Sequence, residues 1–224
     1  MSVNFMTHAT NLEMFRTDFL KSAQQQIKNC QLCPLCKYKS KLLTGNGNEN
    51  ASIMFVSDAV GDIECETGIP FSGASKPIFE KALEANNIKR KDIYTTSCLR
   101  CSIRGVTDIN LQWFSTCSKH LFYQLELIKP KVVCTMGKQS TKVVLAKYNL
   151  EEQHDMLAKL HGNPILVRPI TKVINRKKVQ VPSSKFYLVP TFNPAGIDNI
   201  AIEQAIISDV SVAKYIDNLK TFLF

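Results

Sequence analysis

The stretch Ser52-Ile53-Met54-Phe55-Val56-Ser57, followed by Asp58-Ala59-Val60-Gly61, decides the fold of this chain. A short apolar run between small and polar residues is typical of a strand that is buried on both faces. The loop that follows it opens with an acid. The pattern therefore predicts a buried strand over residues 52–57 with a polar loop at its carboxyl end.

The rest of the chain repeats this pattern. Further strands are predicted at residues 92–97, 131–136 and 186–190, and helices at residues 11–28, 77–86, 109–128, 137–145 and 201–221. Strands joined by helical crossovers form a parallel sheet with helices on both faces. We therefore predict a three-layer α/β/α sandwich with a central four-stranded, mostly parallel sheet, in one domain over residues 1–224. Its site is expected in the loops after Ser57, Ser97 and Val189, at the carboxyl ends of the strands.

Composition and charge indicate the class of partner. The chain has 224 residues, and 28 Lys and Arg residues against 19 acids give a net charge of +9. A basic balance of this size favours a polyanion such as nucleic acid, and the alternative is a merely basic surface. Residues 1–5 lack the pattern of a signal peptide, and no apolar run approaches the roughly 18 residues of a membrane span. We expect no membrane association and a reducing intracellular compartment: cytoplasm, nucleus or a virus-infected cell.

Four of the eight cysteines have the spacing of a metal site. Cys30 and Cys33 form a C-x-x-C, and Cys101 and Cys117 follow with fifteen residues between them. Two close thiolates and a distant pair can complete a Cys₄ site that ties remote segments together. The spacing does not choose between zinc and an iron–sulfur cluster. Two alternatives remain: buried cysteines that act as small apolar residues, and Cys36 as a substitute ligand.

Short motifs follow one another in a characteristic order. They are Cys30-x-x-Cys33-Pro34-Leu35 with Gly45-Asn46-Gly47, Gly68-Ile69-Pro70-Phe71-Ser72-Gly73, Tyr94 to Cys101, and Leu127-Ile128-Lys129-Pro130-Lys131-Val132-Val133 through Gly137. In this order they resemble the iron–sulfur uracil-DNA glycosylases, the family 4 branch of the uracil-DNA glycosylase superfamily. The resemblance covers about residues 27–147 and resumes near residues 186–215.

The resemblance implies a fold, an activity and a cofactor. The fold would be uracil-DNA glycosylase-like, with an N-terminal helix and cysteine-rich segment at about 11–44. The activity would be hydrolysis of the N-glycosidic bond of uracil or another deaminated base, flipped out of single- or double-stranded DNA. Cys30, Cys33, Cys101 and Cys117 would hold a [4Fe–4S] cluster, with zinc as the second choice. The protein would act as a monomer.

The resemblance also assigns roles to residues of the site. Phe71 matches the aromatic residue that stacks on the flipped base, and the alternative is an ordinary core Phe. Asp58 stands where the family has its active Glu, and the alternative is a loop acid that caps a backbone amide. Ala59 and Gly61, in the same loop, are predicted to contact the base.

Two departures from the family pattern affect catalysis. Ser97, predicted to contact the base, replaces the Asn whose amide reads the uracil edge, and a hydroxyl cannot present the same donor and acceptor pair. Asn193, predicted to be a catalytic residue, replaces a His that would stabilise the leaving base. The loop Asn193-Pro194-Ala195-Gly196-Ile197 instead resembles the wedge loop of the mismatch-specific branch, so Gly196 and Ile197 are predicted to contact DNA.

The segment at about 168–185 is an insertion relative to family 4 and carries six positive charges without an acid. Apolar residues flank Asn175-Arg176-Lys177-Lys178, which predicts a β-hairpin with a basic tip. Arg176, Lys177 and Lys178 would clamp DNA phosphates, and the alternative is a solvated loop.

Two functions remain open from the sequence. The first is a monofunctional DNA glycosylase, favoured by Asp58 and Phe71. The second is a catalytically inactive DNA-binding relative with a structural or replication-accessory role and protein partners, favoured by Ser97 and Asn193.

Overall fold

The structure is a computed structural model that describes residues 5–38, 42–106, 108–150, 157–169, 171–174, 177–180 and 185–219. Its helices are α1 (Phe5–Lys28), α2 (Asp62–Thr67), α3 (Lys76–Ala85), α4 (Gln112–Ile128), α5 (Lys138–Lys147), α6 (Leu157–Leu160) and α7 (Ile200–Asn218). Its strands are β1 (Asn46–Gly47), β2 (Ile53–Ser57), β3 (Tyr94–Ser97), β4 (Val132–Met136), β5 (Ile165–Val167), β6 (Thr171–Ile174), β7 (Lys177–Gln180) and β8 (Phe186–Thr191). Two short 3₁₀ helices lie at Pro34–Tyr38 and Arg90–Asp92.

The central sheet has the strand order β1-β3-β2-β4-β8-β5. The four predicted strands are confirmed as its parallel centre, in the order β3-β2-β4-β8. The predicted count of four is wrong, because β1 and β5 add a short antiparallel strand at each edge. These edge strands have two and three residues, which is too short for alternation to be visible in the sequence.

Helices cover both faces of the sheet, which confirms the three-layer α/β/α architecture. Alternate residues of β2 point to opposite faces, as a strand requires. Met54 and Val56 join a core cluster with residues of α1, α4 and α5, such as Leu20, Leu121 and Val144. Ile53 and Phe55 join a second cluster that includes side chains of α3 and α7.

The predicted basic hairpin is confirmed in its backbone. Strands β6 and β7 pair antiparallel, and Ile174 lies opposite Lys177. Lys177 and Lys178 therefore belong to the second strand and not to the tip. Arg176 and the side chains of Lys177 and Lys178 lie outside the described residues.

Among the described residues, no helix combines the length and apolar character that a membrane span needs.

Candidate active site and cysteine cavity

A cavity of about 420 Å³ lies where the parallel strands end. The loop after β2, the segment before α3, the first turn of α5 and the loop after β8 all contribute to it. Its lining residues are Ser57, Asp58, Ala59, Val60, Gly61, Glu64, Phe71, Ala74, Ser75, Ile103, Ile109, Phe114, Gln139, Asn193 and Ala195. The structure thus brings Asp58, Ala59, Gly61, Phe71 and Asn193 of the predicted site to one cavity.

Asp58 lines the cavity and also caps helix α5. Its Oδ1 accepts hydrogen bonds from the backbone N–H of Ser140 at 2.7 Å and from the Ser140 hydroxyl at 2.6 Å. Burial raises the pKa of Asp58 above its usual value, while hydrogen bonds from Ser140, Gln139 and Lys138 oppose that rise. Gly137 leaves room for the carboxylate, because a Cβ at that position would overlap it. The two interpretations of Asp58, a site acid and a capping acid, are therefore compatible.

Glu64 is a second carboxylate of the cavity, and the sequence analysis missed it. It is buried in α2, and its Oε1 accepts a hydrogen bond from Gly73 N–H at 3.0 Å. A Cβ at Gly61 or Gly73 would lie 2.9 or 2.7 Å from Oε2, so both glycines make space for this oxygen. Within the described residues Oε2 accepts no hydrogen bond. The sequence could not separate Glu64 from Asp62 and Glu66 on the same short helix, because only the fold shows which acid points inward.

Phe71 forms an apolar wall of the cavity. Its ring is stacked on that of Phe79, with centroids 4.2 Å apart and planes 13° apart. Phe71 is 2% exposed and has a positive φ of 56°, which is uncommon outside glycine. The ring packs in a core cluster and also lines the cavity, so Phe71 is a core residue, and its stacking on a base stays a prediction.

Ser97 is not brought to the cavity. It lies at the end of β3 opposite Ser57, is fully buried, and donates its hydroxyl to the Ser57 carbonyl at 3.4 Å. It is absent from the lining residues, so the structure gives no support to its predicted contact with a base. Two residues with side-chain amides, Gln139 of α5 and Asn193, line the cavity instead.

The loop after β8 is shaped by Asn193. Its Oδ1 accepts a hydrogen bond from Ala195 N–H at 3.0 Å, an Asx turn that holds the loop. Gly196 follows with φ of 67° in open space. Ile197, the predicted wedge, is half-buried and packs on the second core cluster.

A second cavity contains the four predicted metal ligands. It is lined by Ile27, Cys30, Leu32, Cys33, Cys36, Leu42, Arg100, Cys101, Thr116, Cys117 and His120. The distant pairs of cysteines therefore meet at one place, and Cys36 lies there too. All eight cysteines are free. Within the described ranges, however, no three His, Cys, Asp or Glu side chains are grouped closely enough to hold a metal ion.

The thiols of this cavity influence one another. Burial raises the pKa of Cys101 to about 12, and the charges of Cys117, Cys33 and Cys30 add to the rise. Burial also raises the pKa of Cys117 to about 11, although the Arg100 charge and a hydrogen bond from the Arg100 backbone N–H oppose it. Without a metal, Cys101 and Cys117 are neutral thiols, and a bound metal would have to displace their protons.

Two basic residues that the sequence analysis passed over line the same cavity. The guanidinium of Arg100 is fully buried, and its Nε has no hydrogen-bond partner. The imidazole Nε2 of His120 lies 3.4 Å from Cys30 Sγ. Burial lowers the pKa of His120 to about 4, so this imidazole is neutral at physiological pH. A buried cation among thiols is a site that fits an anionic metal–thiolate centre.

Known proteins are similar to this chain over most of its length. The profile of the uracil DNA glycosylase superfamily matches residues 44–209. The Type-4 uracil-DNA glycosylase of Sulfurisphaera tokodaii is 26% identical over 179 residues, 80% of this chain and 75% of the relative. That of Archaeoglobus fulgidus is 32% identical over 127 residues, 57% of this chain and 64% of the relative. That of Thermotoga maritima is 24% identical over 202 residues, 89% and 95% of the two chains.

Proposed function

This chain belongs to the uracil DNA glycosylase superfamily, and on that premise we propose that it is a DNA glycosylase that releases uracil or another deaminated base. One observation carries the proposal. An aromatic ring, Phe71, and two carboxylates, Asp58 and Glu64, line a single cavity at the carboxyl ends of the parallel strands. A site for N-glycosidic hydrolysis needs a surface for the flipped base and a carboxylate for the attacking water.

The residues divide the work as follows. Phe71 stacks on the flipped base, and the amides of Gln139 and Asn193 donate to its edge and to the negative charge that develops on it. A carboxylate orients water toward the sugar carbon C1′ and accepts its proton. The water oxygen then bonds to C1′ while the bond from C1′ to the base nitrogen breaks. Asp58 and Glu64 also balance the positive charge that builds up on the sugar.

The geometry distinguishes the two carboxylates. Asp58 Oδ1 is engaged by Ser140, so this side chain is rigid and well placed for electrostatic stabilisation. Glu64 is held through Oε1 by Gly73, which leaves Oε2 for water. We therefore retain Asp58 as a catalytic residue and add Glu64 beside it.

Cys30, Cys33, Cys101 and Cys117 are proposed to hold a [4Fe–4S] cluster, with zinc as the second choice. Their shared cavity and the buried Arg100 support a thiolate-bound centre. When bound, the centre would cross-link the segment after α1 to Cys101, before α4, and to Cys117 within α4. Protein purified without oxygen should be brown, bleach on reduction and contain about four irons per chain. Replacement of Cys101 or Cys117 by Ala should destabilise the fold, and colourless protein with stoichiometric zinc would contradict the cluster.

DNA is the proposed partner, single- or double-stranded. The basic hairpin and the loop with Gly196 and Ile197 are the proposed contacts with the strand outside the cavity. The eight free thiols favour a reducing compartment.

The second candidate is a catalytically inactive DNA-binding protein with a structural or replication-accessory role. The position of Ser97 favours it, because the strand end that would read the base edge presents nothing to the cavity.

One experiment separates the two functions. Single- and double-stranded oligonucleotides with one uracil, hypoxanthine or xanthine are incubated with the protein, and abasic sites are cleaved with alkali. The glycosylase proposal expects cleavage at the deaminated base alone, and an Asp58→Asn, Glu64→Gln double variant supplies the matched control. Normal DNA binding without excision of any of the three bases would overturn the proposal in favour of the inactive relative.

A further inference from the structure

We propose that Arg100 is the counter-ion of the thiolate centre: its buried guanidinium balances the negative charge of the metal-bound cysteines and so sets the stability and reduction potential of that centre. The inference rests on the metal centre proposed above and concerns the role of one side chain toward it.

The first step is the burial of an unbalanced charge. Arg100 is 1% exposed, and its hydrogen-bond acceptors are neutral: Gln124 Oε1 at 2.7 Å and the Leu43 carbonyl at 3.4 Å. Nε has no partner. A buried cation is strongly unfavourable unless an anion pairs with it. The part of the chain that the structure describes shows no carboxylate in an ion pair with Arg100.

The second step concerns what surrounds the guanidinium. The four proposed ligands, Cys30, Cys33, Cys101 and Cys117, line the same cavity as Arg100. A cysteine thiol is mostly uncharged at neutral pH and cannot balance a cation. A metal changes this, because it binds cysteine as the thiolate. Binding therefore creates the missing anions next to the buried cation.

The third step is the direct link to the ligands. Arg100 precedes Cys101 in the chain and lines the same cavity as all four proposed ligands. Hydrogen bonds to sulfur and nearby charge are the features by which a protein tunes an iron–sulfur centre. A fixed cation stabilises the more negative, reduced state, so Arg100 should raise the reduction potential.

The test compares Arg100→Met, which removes the charge at similar length, with Arg100→Lys, which keeps it. Arg104→Met is the matched control, because Arg104 is three residues from Cys101 but 81% exposed and paired with Asp62 at 2.9 Å. When Arg100 is replaced, Gln124 Oε1 still accepts a hydrogen bond from the Thr96 hydroxyl at 2.9 Å. Each protein is purified without oxygen, and iron content, visible absorption and reduction potential are measured.

Arg100→Met should lose iron to a chelator about tenfold or more faster than wild type, the usual scale for a partner that supports a metal ligand. Its reduction potential should fall, while Arg100→Lys and Arg104→Met stay near wild type. Wild-type iron retention and potential in Arg100→Met would overturn the proposal. An Arg100→Lys variant that behaves like Arg100→Met would overturn the role of charge.

Urea unfolding provides a readout that a purely structural role would not produce. With metal bound, Arg100→Met should unfold at a lower urea concentration than wild type. With the metal removed from both proteins, Arg100→Met should unfold at a higher urea concentration than wild type. The sign reverses because the stripped protein retains the cation without its anions. Destabilisation in both forms would show that Arg100 merely packs and would overturn the proposal. Wild-type protein that contains no metal would overturn both this proposal and the metal centre on which it rests. The glycosylase activity is tested separately, by the excision assay.

Discussion

Asp58 and Ser140, 82 positions apart in the chain, are joined by two hydrogen bonds to one carboxylate oxygen. The backbone N–H and the hydroxyl of Ser140 both donate to Asp58 Oδ1, so the loop after β2 is fastened to the first turn of α5. The amino end of a helix carries a partial positive charge, which stabilises a carboxylate there. The acid predicted to serve catalysis is thus part of the framework of the cavity.

Replacement of Asp58 by Asn should lower single-turnover excision by about a hundredfold or more, the scale of a lost general base or charge. DNA binding should persist, since loss of a negative charge does not weaken attraction to phosphates. Ser140→Ala is the control: it removes one hydrogen bond to a charged group, worth about 1.5–3 kcal/mol of stability, but keeps the carboxylate. Strong excision by Asp58→Asn would assign the chemistry to another residue.

The ionisation of Asp58 should have opposite effects on stability and on activity. Burial raises its folded pKa above the unfolded value, so the folded state binds the proton more tightly. Its contribution to stability is then present below the unfolded pKa and is lost as the pH rises through the folded pKa. Excision needs the carboxylate and should increase over the same interval. Urea unfolding of wild type and Asp58→Asn at a series of pH values measures this, and a difference between them that does not change with pH would contradict it.

Glu64→Gln should also reduce excision by about a hundredfold, because the amide cannot accept a proton from water. The fold should survive, since the new Oε1 still accepts the hydrogen bond from Gly73. Glu66→Gln, an exposed position on the same short helix, provides the comparison. Single-turnover assays of the two variants decide the matter, and equal rates would remove Glu64 from the mechanism.

The stacked pair Phe71 and Phe79 allows the base-stacking role to be separated from core packing. Each Phe→Leu substitution loses the same ring contact, but Phe71 alone of the two lines the cavity. Phe71→Leu should weaken excision through lost base stacking, worth about 1–3 kcal/mol. Phe79→Leu should lower stability with little effect on the rate at a temperature where both are folded. Equal losses of rate would show that Phe71 acts only through packing.

Neutralisation of Arg176, Lys177 and Lys178 together should reduce the salt dependence of DNA binding. If each side chain contacts one phosphate, the slope of log affinity against log salt should fall by about two to three. The control variant loses the same number of positive charges elsewhere, at Lys21, Lys81 and Lys214. These lysines pair with Asp18, Glu203 and Asp217. An unchanged slope in the hairpin variant would identify the segment as a solvated loop.

The central strands were predictable because each is a local apolar run with clear ends. Residues 53–57 are buried on both faces, and such a run is visible without knowledge of its neighbours. The edge strands were not predictable, since Asn46–Gly47 is a strand only through its pairing with Tyr94 and Thr95. The basic hairpin was predictable from alternation around a turn, although Lys177 and Lys178 lie in the strand.

The candidate site divides in the same way. Order and spacing in the sequence were sufficient to place Asp58 and Asn193 at the carboxyl ends of strands, because those ends meet at one edge of a parallel sheet. Phe71, between α2 and α3, was assigned through its motif instead. Order and spacing were not sufficient for Ser97, which ends a strand as well but points into the core.

The sequence by itself determined the family, the parallel sheet and the cysteines that converge on one cavity, because these depend on local patterns and their order. Only the tertiary structure decided which acids face the cavity and which cation is buried among the thiols. The position of Glu64 depends on space left by Gly61 and Gly73, and that of the Arg100 guanidinium depends on its hydrogen bond to Gln124 of α4. Such contacts join residues that are distant in the chain, and their energy comes from burial, which no local pattern of residues reveals.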